Sequence, residues 1–150
     1  METQTSIRKA IFHGTAASHI LLFCYAATSK IIDFDNFQIQ LAQSPMLSGF
    51  AREISFAVPI AEYIIAALLI FPRYRYAAMH LSFALMMVFT AYIYIILNHS
   101  PYVPCSCGGV LDKLGWSEHF IFNCVFAAMG AVAIIIYPDK VVPPANLRES

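Results

Sequence analysis

Cys105 and Cys107 stand one residue apart in Pro104-Cys105-Ser106-Cys107-Gly108-Gly109, between two long apolar stretches of a chain otherwise poor in reactive side chains. A disulfide across a single intervening residue closes a small, strained ring, and strained or exposed disulfides are the labile, catalytic ones rather than the structural ones. The flanking glycines let a partner's backbone approach closely. Two adjacent thiolates also suggest a metal site, with His99 and His119 completing a two-nitrogen, two-sulfur set suited to zinc or a soft metal. The spacing argues against metal, because paired ligands are usually separated by about two to four residues.

The chain has two further cysteines, Cys24 and Cys124, each inside an apolar run. An isolated Cys in such a run commonly behaves as a small buried hydrophobe. The alternative is an inner pair that relays electrons from the outer one, and four cysteines allow three pairings that sequence cannot separate. Glu62, in Val58-Pro59-Ile60-Ala61-Glu62, is the other informative residue. A carboxyl group in hydrocarbon is costly and marks a functional site by default. It is expected to meet His19, His80 or Asn123, either as a proton acceptor or quinone contact or as a hydrogen bond joining two helices. Pro59, one turn earlier, weakens the helix ladder and aims Glu62 inward. His13, His19 and His80 are expected to hydrogen-bond within the bundle. No Ser-His-Asp arrangement, phosphate loop, dinucleotide fingerprint or HExxH motif is present, so hydrolytic and nucleotide-driven chemistry have no support.

What must position these groups is a membrane domain. Of 150 residues 59% are hydrophobic and only 12% charged, with a mean hydropathy of +0.66, whereas soluble domains carry about a quarter charged residues. Net charge is zero and no basic face exists, which excludes nucleic acid as a partner. Four apolar segments, approximately Ile11 to Ser29, Phe50 to Phe71, Ala77 to Leu97 and Ser117 to Tyr137, are each near the roughly 20 residues needed to cross hydrocarbon. The predicted fold is all-α, a single integral membrane four-helix bundle with outer loops over 30–49 and 98–116. The first segment follows Arg8 and Lys9 but lacks a convincing cleavage site, and is read as a retained helix rather than a signal peptide.

Lys and Arg accumulate on the cytoplasmic side of short loops. With both termini cytoplasmic, Arg8, Lys9, Arg73, Arg75, Lys140 and Arg148 lie inside and only Lys30, Arg52 and Lys113 outside. The cysteine loop then faces an oxidising compartment. Between Ile31 and Ser48, apolar Ile32, Phe34, Phe37, Ile39 and Leu41 are interspersed with polar residues, which fits either an interfacial segment over the outer end of the bundle or an ordered loop.

Taken together, Ser29-Lys30-Ile31 with Asp33-Phe34 and Phe37, then Pro59 with Glu62, then the cysteine loop, resemble the DoxX-like MauE family of small four-helix membrane proteins, over roughly Ile11 to Tyr137. Gly108-Gly109-Val110 departs from the Phe-Gly that follows the cysteines in the named member. The resemblance implies a role in forming or handling disulfides of exported proteins, often beside a thioredoxin-like protein, and marks Cys105 and Cys107 as the reactive pair.

The expected function is a thiol–disulfide component of the bacterial inner membrane that exchanges disulfides with a periplasmic thioredoxin-like or other exported cysteine-containing protein. Cys24, Cys124 and Glu62 are candidate relay residues, and a quinone is a candidate electron acceptor. Two alternatives stand beside it: a non-catalytic membrane subunit with a structural loop disulfide, and a metal-handling protein.

Overall fold

A computed structural model describes residues 2–99 and 115–137. Cys105 and Cys107 lie outside the described residues, as do Lys113, Lys140 and Arg148.

Five α-helices account for most of the described chain: α1 (Glu2–Ile32), α2 (Phe34–Gln43), α3 (Ala51–Ile70), α4 (Arg75–His99) and α5 (Trp116–Ile136), with a 3-10 turn at Ser48–Phe50 and no strand among the described residues. Four are long and apolar enough to span a membrane. Hydrocarbon leaves no other economical choice, because a helix satisfies its backbone polar groups within the segment. At about 1.5 Å per residue, α3 with 20 residues is about 30 Å long, the thickness of a bilayer core. The chain is a multi-pass membrane protein.

α1 is longer than its apolar segment. It begins nine residues before Ile11 and continues past Ser29 to Ile32, which puts Lys30 on a helix rather than in a loop. The segment after it is also helical. In α2, Phe34, Phe37 and Leu41 recur at helical spacing, Leu41 is buried, and the Phe34 ring lies 4.7 Å from that of Phe56 on α3.

The spanning helices form a ring, α1 against α3, α3 against α4, α4 against α5 and α5 against α1. Each offers its inner face at a period of three to four residues. On α3 that face is Ala51, Ser55, Pro59, Glu62, Ala66 and Leu69. On α5 it is Asn123, Ala127, Gly130 and Ala133, small side chains that let helices approach closely. Leu21, Val88, Ile121 and Ile135 point outward, as lipid-facing residues do.

At one end Tyr76 stacks on Tyr137 and Phe12 packs tilted against the same ring, with Phe12–Tyr137 and Tyr76–Tyr137 centroids each 4.5 Å apart. This contact places the first half of α1, the α3–α4 turn and the end of α5 together. Arg75 closes that turn. Its Nε donates to the Leu69 carbonyl at 2.7 Å and a terminal nitrogen to Ile70 O at 2.8 Å, while the other meets His13 Nδ1 at 3.0 Å. Carbonyls of a last helical turn lack partners within the helix, and a guanidinium supplies them.

Candidate functional site

The opposite end gathers the end of α1, all of α2, the start of α3, the end of α4 and the start of α5. Lys30, in the last turn of α1, reaches across to α3 and donates from Nζ to Glu62 Oε1 at 2.8 Å. The Glu62 side chain is 0% exposed and that of Lys30 22%. A lysine at a helix end commonly snorkels to the membrane surface. Here it turns inward instead, because the buried carboxylate offers a counter-charge and two rings offer their faces: Phe37 and Phe89 centroids lie 5.9 and 5.7 Å from Nζ. Nζ also lies 3.4 Å from its own-helix carbonyl at Ala26.

The partners expected for Glu62 are therefore corrected. His19 is fully buried, but its Nδ1 donates to Thr15 O at 2.9 Å and its ring packs edge-on against Phe126. His80 turns back to Tyr76 O at 3.0 Å on an exposed surface. The lysine was missed because Ser29-Lys30-Ile31 reads as the closing of the first helix, where a charge belongs to the loop. The available signal was the carboxyl group itself, whose charge a cation within reach would neutralise, and Lys30 is the basic residue that α1 carries at the right end.

Only half of the carboxylate is engaged. Glu62 Oε2 is buried without a hydrogen-bond partner among the described residues, and so is Asn123 Nδ2. Both residues line a cavity of about 470 Å³ whose wall is mostly apolar. Phe37 and Leu41 of α2 form one side of it, Phe89 and Tyr92 of α4 another, and Trp116, His119 and Phe122 of α5 a third. Pro59 belongs to the arrangement: Ser55, Pro59 and Glu62 share the buried face of α3, and Ser55 Oγ donates to Arg52 O at 2.7 Å one turn before the proline, which itself leaves the Ser55 carbonyl without its i+4 donor.

Cys24 and Cys124 are both free thiols and half-buried. Cys24 packs against the apolar core cluster. Its carbonyl accepts the Thr28 hydroxyl at 2.6 Å, so the Tyr63 hydroxyl, 2.7 Å from Thr28 Oγ1, must donate to it. Among the described residues no three His, Cys, Asp or Glu side chains converge as a metal site. His99 ends α4 and His119 lies in the first turn of α5, both at the cavity end of the bundle, and Cys105 and Cys107 fall between them in the sequence, outside the described residues.

The arrangement is chemically specific. A buried carboxylate with one spare acceptor oxygen, an amide with a spare donor and a neutralising ammonium surround an aromatic-walled volume. Buried polar groups are normally satisfied, and spare ones beside empty space mark where a ligand's polar atoms fit.

The family described as methylamine utilisation protein MauE matches the chain over residues 8–136, from the first turns of α1 to the end of α5. No curated protein and no solved structure matches it.

Proposed function

The chain belongs to the MauE family, and on that premise we propose that it is a thiol–disulfide component of the bacterial inner membrane, working through Cys105 and Cys107 on an exported thioredoxin-like or other cysteine-containing protein. What supports this reading is that Cys105 and Cys107 fall in sequence between α4 and α5, helices whose adjoining ends wall a cavity lined by Glu62 and Asn123.

In the oxidising direction a partner thiolate attacks one sulfur of the Cys105–Cys107 disulfide. That bond breaks, a mixed disulfide forms, and the other sulfur leaves as a thiolate. The partner's second thiol then displaces the chain's sulfur, so the partner departs oxidised and Cys105 and Cys107 remain as a dithiol. Return to the disulfide removes two electrons and two protons, which a lipid-soluble quinone takes up to become a quinol. Cys24 and Cys124 enter only if they pair, and their Cα atoms must then come within about 7 Å. The excess of Lys and Arg on the assigned inner side supports an outward-facing cysteine loop.

Trapping in cells tests the proposal. With Cys105→Ser and Cys107→Ser made singly, one variant should accumulate a covalent adduct with an exported thiol protein. Normal assembly and function with no adduct from either variant would instead make the chain a non-catalytic subunit. Metal lost from the purified protein on the same substitutions would make it a metal handler.

A further inference from the structure

We propose that the cavity beside Lys30 and Glu62 binds the ring of a neutral, lipid-soluble quinone or quinol. The cavity's occupancy rests on its own geometry, and only the use made of the ligand rests on the thiol–disulfide reading above.

Three observations select this class of ligand. The first is charge. Lys30 and Glu62 neutralise each other at 2.8 Å, so a cationic ligand would be repelled by the ammonium, and an anionic one would compete with Glu62 for it. Asp33, at the cavity wall, already takes the Asn36 amide at 2.7 Å. A neutral molecule avoids both conflicts.

The second is hydrogen bonding. Two atoms on cavity-lining residues have no hydrogen-bond partner among the described residues: an acceptor, Glu62 Oε2, and a donor, Asn123 Nδ2, on residues 0% and 4% exposed. A quinol hydroxyl donates to the first, and a quinone or quinol oxygen accepts from the second. A hydrocarbon chain satisfies neither, and leaving buried polar groups unpaired is costly.

The third is shape. The volume of about 470 Å³ lies within the range of small-molecule sites. Its walls carry Phe37, Phe89, Tyr92, Trp116 and Phe122, surfaces against which a flat ring packs face or edge. Water alone suits such a wall poorly, since ordered buried water needs two to four polar partners per molecule.

Trp116 is the chain's single tryptophan and lies in the cavity wall, which provides the measurement. The full-length protein, purified in detergent, is titrated with decylubiquinone while Trp116 fluorescence is followed. Saturable quenching is expected, with Kd raised about tenfold or more by Asn123→Leu and saturation abolished by the cavity-filling Val58→Phe. Melting curves verify that each variant is folded. The Cys105→Ser/Cys107→Ser double variant should bind like the parent, so a failure of disulfide trapping leaves this site standing. Quenching that rises linearly with quinone in all variants is simple partition into the micelle and overturns the proposal. Equal competition by decylbenzene, which has the ring and tail without oxygens, overturns it as well.

Discussion

The two ends of the bundle use their polar side chains in opposite ways. At the end holding the α3–α4 turn, Arg75 spends its guanidinium on two helix-terminal carbonyls and His13, and the rings of Phe12, Tyr76 and Tyr137 pack closely. At the other end Lys30 and Glu62 meet, but Glu62 Oε2 and Asn123 Nδ2, whose residues line the cavity, have no partner among the described residues. The first pattern holds a fold together. The second costs stability unless something else completes it, which is why the contrast points to the cavity end as the working end.

The largest expected effect on stability comes from breaking the ion pair. Lys30→Met leaves a fully buried carboxylate without its cation and should cost about 3–5 kcal/mol, read as a loss of thermal or denaturant stability in detergent. Lys30→Met combined with Glu62→Leu should recover most of that loss, since an apolar pair replaces a buried charge pair at little net cost. If the double variant is as unstable as the single, the pair is not the local determinant described here.

At the opposite end Arg75→Met removes three charge-assisted hydrogen bonds and should cost about 1.5–3 kcal/mol, while quinone titration and disulfide trapping stay unchanged. A loss of either activity in a folded Arg75→Met protein would erase the distinction between the ends. Asn123→Leu reverses that pattern: stability should change by less than about 1 kcal/mol, because an unspent buried donor is removed, yet ligand binding weakens. The smallest effect is expected at Gly130. A Cβ there would lie 3.6 Å from His19 Nε2 and from Phe83 Cβ, ordinary contact distances. Gly130→Ala should therefore be neutral, or stabilising by up to about 1 kcal/mol from helix propensity, in the same unfolding assay.

The four spans were legible in the sequence because a membrane demands long apolar helices and little else. What lay at their edges was harder to read. The residues from Ile32 to Leu41 read as an interfacial segment or an ordered loop, yet Phe34, Phe37 and Leu41 follow a helical period, and the segment packs against α3 as a helix. Arg75 read in the sequence only as part of a charge bias between loops, which concealed its role as a cap, since hydrogen bonds to carbonyls five and six residues back leave no pattern in composition. Glu62 was recognisable as the expensive residue of the bundle. Its partner was not, because Lys30 lies beyond the apolar run and acts through the extra turn by which α1 outlasts it. Asn123 was anticipated as a neighbour of Glu62 and does share its cavity, where both retain an unspent atom.

The account depends most on which side of the membrane presents the paired sulfurs, and intact spheroplasts can report it. After mild reduction, a membrane-impermeant maleimide should label Cys105 and Cys107 from outside, and the label should vanish in the Cys105→Ser/Cys107→Ser variant. Labelling that appears only once the membrane is permeabilised would place the pair in the reducing cytoplasm and contradict the proposed exchange with an exported partner.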